Sequence, residues 1–205
     1  MAADQIAGLV LAGGRSRRFG RTKALAAFRG RPLIAWCLDT LAPHVAVLAV
    51  SGPPALAAEL GLEALADPPG APEGPLAGLL AGLAWAAERG CPHLATAPCD
   101  TPFLPPDLVP RLAAAIADRR AVAARAGRVH ALCALWRTDA APALAALLRD
   151  GKQLSMQALI DALGGAYADF EAEAAFANLN TPEEFAAAEG GAESGDTHPF
   201  RGWTG

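Results

Sequence analysis

What this 205-residue chain lacks narrows what it can be. It has only four cysteines, Cys37, Cys91, Cys99 and Cys133, and no two are spaced as C-x-x-C. All four lie in apolar segments, so they read as reduced, buried small residues of a cytoplasmic protein rather than as disulfide partners or zinc ligands. No uninterrupted apolar run approaches the ~18 residues of a membrane span. The opening, MAADQIAGLVLAGG, has no basic n-region and runs straight into a glycine turn, so no signal peptide is expected. Positive charge is not in excess either. The net charge of −4 argues against a broad nucleic-acid surface. There is no internal repeat, no G-x-G-x-x-G fingerprint and no Gly-Lys-Ser/Thr phosphate loop. Ser155 has no G-x-S-x-G context, so nucleophilic hydrolysis is not expected.

What is present is an alanine-rich, 53% hydrophobic sequence in which short buried runs alternate with helical segments. Ile6–Ala12 and Val45–Val50 read as buried strands, Leu62–Ala66 as a weaker third strand and His93–Ala97 as the fourth. Between and after them, Pro32–Leu41, Ala55–Leu60, Pro75–Arg89 and Asp107–Arg119 read as helices. Ala121–Ala126 and Val129–Trp136 read as strands around Gly127, in the manner of a hairpin. Helices are expected near Ala140–Leu148, Ser155–Leu163 and Thr181–Ala188, with short strands at Tyr167–Phe170 and Phe176–Leu179. This order predicts a three-layer α/β/α fold with a mostly parallel, Rossmann-like sheet. One domain is expected over 1–189, followed by a flexible tail over 190–205.

The positive charge that exists is concentrated. Seven of the 17 Lys and Arg residues fall between Arg15 and Arg31. They follow the first strand's Gly13-Gly14 turn, whose backbone N–H groups can form an anion-binding nest. In an acidic chain this is the pattern of a site for a small polyanion such as a nucleoside triphosphate, with Arg18 and Lys23 on its phosphates. A solvated basic loop is the alternative, and Arg17, Arg21 and Arg29 can simply face water. Ligands of parallel sheets bind at the carboxyl ends of strands, where three more pieces fall. Asp100, between prolines in Pro98-Cys99-Asp100-Thr101-Pro102, is either a rigid Mg²⁺ ligand or a turn-former. Asp67 and the GPLAG run Gly74–Gly78 are either a base or ribose contact or a proline-shaped turn into a helix. Thr181, Pro182 and Glu184 form a helix capping box, which leaves Asn178 and Asn180 for the cleft. His130 is either a packed ring or a catalyst.

These pieces, in this order, resemble the molybdenum cofactor guanylyltransferases of the MobA type. The resemblance rests on LAGG-x₃-R-x-G-x₂-K at the start, D-x₆-GPLAG, PCDTP and the late N-x-N-T-P-E-E, and it spans about Gly8 to Phe185. The opening motif alone resembles nucleotidyltransferases at large. The resemblance implies a Mg²⁺-dependent transfer of GMP from GTP to the phosphate of molybdenum-bearing molybdopterin, with pyrophosphate released. It implies that Leu11, Ala12, Gly13 and Gly14 contact GTP through the turn, and that Lys23 and Asp67 bind the nucleotide. It further implies that Asp100 binds both Mg²⁺ and GTP, that Arg18 acts in catalysis, and that Asn178 and Asn180 face the acceptor. Partners would be GTP, the cofactor and proteins that donate or accept it, around a monomer. The chain departs from the family pattern in four places. Phe19 stands where methionine is usual, Thr22 where aspartate is frequent, and Ala131 where proline is common. The second strand's end also lacks the frequent polar residue, which leaves one base contact to Ser51 or to none. The rival readings are a cytidylyl- or sugar nucleotidyltransferase, a non-catalytic carrier and, least supported, an NAD(P)H-binding oxidoreductase.

Overall fold

The computed structural model describes residues 5–13, 23–72, 74–149 and 154–190. The expected tail over 190–205 therefore lies, beyond Gly190, outside the described residues. Strand β1 (Ile6–Leu11) is buried at every residue. Its side chains alternate: Ile6 and Val10 enter one apolar core, and Ala7, Leu9 and Leu11 enter a second. A strand covered on both faces has no polar side to show, which explains its continuous apolar run.

Strands β4 (Val47–Ser51) and β6 (His93–Pro98) pair parallel on either side of β1, and β5 (Glu63–Leu65) pairs parallel with β4. β8 (Arg128–Arg137) runs antiparallel to β6 and to β7 (Ala121–Ala126), and β9 (Ala166–Asp169) lies parallel to β7. The seven-stranded order is β5-β4-β1-β6-β8-β7-β9. The hairpin between β7 and β8 turns on Gly127, with φ +64°. Helices α1 (Leu33–Leu41), α2 (Pro54–Leu60) and α4 (Leu108–Ala115) supply apolar residues to the first core. Helices α3 (Pro75–Glu88), α5 (Ala141–Arg149) and α6 (Met156–Ala162) supply the second. These are the three layers expected from the sequence.

Two expectations need correction, and one element was not expected. The helix expected over Asp107–Arg119 stops at Ala115, because Ala117 turns left-handed (φ 42°) to lead into β7. Phe176–Leu179 is not a strand. Glu173–Phe176 forms a 3₁₀ turn, and Phe176 and Leu179 plug two different apolar clusters instead of joining a ladder. An unforeseen two-residue ribbon, β2 (Ala27–Phe28) with β3 (Arg31–Pro32), turns on Arg29 and Gly30, both at positive φ.

That ribbon matters for the site. Phe28, fully buried, meets the rings of Trp36, Phe103 and Phe185 edge-on at 5.6–5.9 Å. Leu33 and Leu179 complete this third cluster. Phe185 belongs to α7 (Pro182–Gly190), so the cluster ties α7 and the segment before it to the ribbon. Arg29, read as a residue that can face water, is exposed and also helps the tie. Its guanidinium lies 5.2 Å from the Phe28 ring centroid and donates to the Ala188 carbonyl at 3.1 Å.

Candidate active site

The carboxyl ends of β1, β4 and β6 are laced together by backbone bonds. Ala12 N–H donates to the Ser51 carbonyl (2.8 Å), and Cys99 N–H donates to the Leu11 carbonyl (3.1 Å). Pro98 ends β6. Beyond it the loop is propped from below: Thr101 Oγ1 donates to the Pro98 carbonyl at 3.1 Å, and the Cys37 thiol of α1 reaches the same oxygen at 3.1 Å. Burial pushes the Cys37 thiol up to about 12, so it stays a neutral S–H donor. This supporting role was not legible in the sequence, where Cys37 and the loop stand 61 residues apart. The Cys99 thiol is likewise pushed up to about 12 by burial. Neither is a nucleophile at neutral pH.

The loop presents Asp100 to Lys23 and Asn180. Lys23 Nζ donates to Asp100 Oδ2 at 2.6 Å and to Asn180 Oδ1 at 2.6 Å. The two partners are 77 and 157 residues away in sequence. The Lys23 and Asp100 side chains are only 8% and 17% exposed. A lysine buried this far requires compensation, and the carboxylate supplies it. An ammonium carries three N–H donors, of which these bonds use two. The other carboxylate oxygen, Asp100 Oδ1, is buried with no hydrogen-bond partner among the described residues. No group of three or more His, Cys, Asp and Glu residues gathers around one point among the described residues. A cation bound there would therefore have to draw most of its ligands from substrate and water.

Asn180 is placed by a reciprocal cap. Glu184 N–H donates to Thr181 Oγ1 at 3.2 Å, and Glu184 Oε2 accepts from the backbone N–H groups of Thr181 and Asn180. Leu179 N–H donates to the Asp100 carbonyl at 2.9 Å. The cap thus holds α7's entry directly against the Asp100 loop. Thr181→Ala is expected to cost about 1 kcal/mol of stability, read as a lower denaturant midpoint. It should also weaken substrate binding, because Asn180 loses its fixed entry to the helix.

The remaining sequence-predicted residues divide. Leu11, Ala12 and Gly13 lie at the laced strand ends, with Gly13 exposed. A Cβ on Gly13 would approach Ser51 O at 3.9 Å. Buried Ser51 closes β4 and faces Gly78 in the first turn of α3, so the GPLAG run packs against the turn. Asp67 is exposed, just past β5 and two strands from β1, and is not brought to Lys23. Gly14 and Arg18, with Arg15, Arg17 and Arg21, lie outside the described residues. Asn178 is exposed beside a cleft next to the Asp100 loop. His130 is packed there. Its ring stacks on Phe176 with centroids 4.5 Å apart, and Nε2 lies 3.2 Å from the Ala126 carbonyl. Burial lowers its pKa, so the ring is neutral at pH 7. Because a carbonyl only accepts, Nε2 carries the proton and Nδ1 is an acceptor.

Known proteins bear on this site. Residues 8–167 match the family model of the MobA-like NTP transferase domain. The chain is 50% identical over 185 residues to a molybdenum cofactor guanylyltransferase of Cereibacter sphaeroides, covering 89% of this chain and 94% of that one. It is 47% identical over 191 residues to the Rhodobacter capsulatus enzyme of the same name, covering 90% and 95%. Its fold is similar to that of a molybdopterin-guanine dinucleotide biosynthesis protein A of Archaeoglobus fulgidus, with TM-score 0.67 and 24% identity over 90% of this chain and 97% of that one. It is also similar to a Thermus thermophilus 2-C-methyl-D-erythritol 4-phosphate cytidylyltransferase, with TM-score 0.66 and 20% identity over 89% and 96%. By the match to the family model and the identity to these relatives over most of both chains, the chain belongs to the molybdenum cofactor guanylyltransferase family, within the MobA-like NTP transferases.

Proposed function

We propose that the protein transfers GMP from GTP to the terminal phosphate of molybdenum-bearing molybdopterin. The observation that carries this reading is the junction of Lys23, Asp100 and Asn180 at the ends of β1 and β6. An acceptor phosphate oxygen forms a new bond to the α-phosphorus in line with the leaving group. The bond from the α-phosphorus to the bridging oxygen breaks, and pyrophosphate leaves with that electron pair. Both reactants are anions, so positioning and charge stabilisation dominate the work. Lys23 lies where its ammonium offsets charge on the phosphates, and its bonds to Asp100 and Asn180 fix that position before reaction. The backbone of Leu11–Gly13 lets the phosphates approach, and Gly78 keeps the α3 terminus close. Asn180 orients the acceptor side.

A divalent cation fits this donor set. The partnerless, buried Oδ1 of Asp100 is a hard oxygen ligand, and Mg²⁺ is commonly held by one or two carboxylates plus substrate phosphates. When bound, Mg²⁺ would neutralise phosphate charge and align the oxygens for displacement. Cys37, Cys99 and Cys133 are thiols outside any disulfide, which supports a reducing, cytoplasmic setting. No helix among the described residues is long and apolar enough to cross a membrane.

The test is pyrophosphate release from purified protein with Mg²⁺, molybdenum-bearing molybdopterin and each of GTP, CTP, UTP and ATP. The expected result is release with GTP at least tenfold above the other nucleotides. Equal or faster release with CTP moves the protein to the cytidylyl reading. Binding of GTP with no release under any condition makes it a carrier.

A further inference from the structure

Ala35, Leu38, Asp39 and Ala42 recur along α1 and its C-cap at i, i+3, i+4 and i+7, so they share one side of the helix. That side looks across a groove of about 440 Å³ onto the end of α2 and the entry to β5. Leu38, Leu48, Leu60 and Leu62 line the groove, each half-buried and packed against the first core from outside. Gly61, at φ 64°, ends α2 and turns the chain back, which brings Leu60 and Leu62 to the same groove. The two alanines of α1 leave room that larger side chains would fill. The groove has the size of a ligand site, roughly 300–1,000 Å³, and contiguous exposed apolar surface of this kind marks a place of interaction.

Its charge says what kind of occupant fits. Among the described residues that line it, Asp39 and Glu59 stand against Arg31, an excess of one carboxylate. Asp39 already holds Arg31 at 2.8 Å, whereas Glu59 is exposed at the rim. An occupant with large apolar side chains and one positive charge matches both features.

The chain carries such a segment close by. α7 ends against the ribbon: Glu189 Oε1 accepts from the Arg29 backbone N–H at 2.9 Å, beside the bond from Arg29 to the Ala188 carbonyl. Arg29 stands two residues before Arg31 of the groove, and two residues of chain span at most ~7 Å. Beyond Gly190 the sequence reads GAESGDT and then HPFRGW. The first stretch, 191–197, has the small, polar composition of a linker and can reach up to about 25 Å. The second does not have that composition. Phe200 and Trp203 flank Arg201, its one full charge at pH 7, and Pro199 limits the backbone freedom that docking would cost.

We propose that His198–Trp203 docks in this groove of its own chain, with Phe200 and Trp203 on the leucines and Arg201 on Glu59 and Asp39. The tether makes the event intramolecular, at an effective concentration in the millimolar range, so a second copy does not compete at ordinary concentrations. The docked segment holds α7 at its far end, as the Thr181–Glu184 cap holds it at its start. The proposal does not depend on the reaction proposed above.

The test labels the full chain with 5-fluorotryptophan and follows the fluorine resonances of Trp36, Trp85, Trp136 and Trp203, the last assigned by its loss in Trp203→Phe. Trp85 and Trp136 are buried in the second core and report whether each variant stays folded. The expected result is a Trp203 resonance displaced from its position in the urea-unfolded chain and constant over a wide range of protein concentration. Leu60→Glu should raise the undocked fraction about tenfold or more, because a carboxylate would be buried without a partner. Glu59→Lys, at an exposed position, should raise it about threefold, and adding Arg201→Glu should restore docking. A Trp203 resonance at the unfolded position in the unaltered chain would overturn the proposal. So would a position that changes with concentration, which would point to a second copy, or one that neither Leu60→Glu nor Glu59→Lys moves. No rescue by Arg201→Glu would remove Arg201 from the contact.

Discussion

Replacing Asp100 with asparagine is expected to lower pyrophosphate release on the order of 10³-fold and to leave the fold in place. The substitution keeps size and shape. Lys23 retains the Asn180 oxygen at 2.6 Å and gains an amide oxygen in place of Asp100 Oδ2. The backbone bonds that seat the loop, Leu179 N–H to the Asp100 carbonyl and Cys99 N–H to the Leu11 carbonyl, do not involve the side chain. What disappears is the negative charge and the hard oxygen Oδ1. Stability should fall by about 1–3 kcal/mol, because a buried charge-assisted bond becomes a weaker one.

The charge change also predicts a crossover that a merely structural role would not produce. With metal chelated, the variant should bind GTP at least as tightly as the wild type, since an anion has been removed from beside the triphosphate. With Mg²⁺ present, it should bind more weakly, since the carboxylate proposed to hold the cation is gone. Calorimetry with and without chelator reads both arms. Wild-type turnover, or the same loss of affinity under both conditions, would overturn the proposal that Asp100 holds a metal ion.

The parts of this picture that were legible in the sequence are those written in local pattern. The continuous apolar run of Ile6–Leu11 announced a strand covered on both faces. Prolines and glycines marked where strands stopped, and the Thr181–Glu184 spacing announced a cap that the structure forms. What stayed hidden depends on approach between distant residues. Nothing local shows that the thiol of Cys37 holds up the Pro98 carbonyl, or that Phe28 packs against Phe185. The segment Phe176–Leu179 has the composition of a strand, yet it joins no ladder, and its large residues fill gaps in two apolar clusters. The ribbon at Arg29-Gly30 was missed because two residues a side leave no periodicity to read, although an X-Gly pair at positive φ is the usual chemistry of such a turn.

A single methyl group at Gly78 is expected to separate the contribution of α3 to the site from its contribution to the core. In Gly78→Ala the new Cβ would stand 2.9 Å from Ser51 Cβ and 2.9 Å from Leu11 Cδ2, and closer still to Ser51 Oγ. Real side chains do not approach so closely, so the first turn of α3 or the ends of β1 and β4 must move. Alanine's higher helix propensity returns roughly 1 kcal/mol against roughly 1–3 kcal/mol of overpacking, so the net loss of stability should be small. The loss of function should be larger. Leu11 and Ser51 flank the turn proposed to meet the phosphates, and a shift of about 1 Å at such a point can cost on the order of 10²-fold in rate. Gly82→Ala provides the contrast, because its Cβ would press on Leu9 and Leu94 in the core, at 2.5 and 2.9 Å. It should lower the melting temperature without a selective effect on GTP. Adding Ser51→Gly to Gly78→Ala removes two of the three clashing atoms and should restore much of the lost GTP affinity. The coupling between the two sites should then exceed about 0.5 kcal/mol. Wild-type kinetics in Gly78→Ala, or no rescue by Ser51→Gly, would mean that the closeness of α3 to Ser51 serves packing alone.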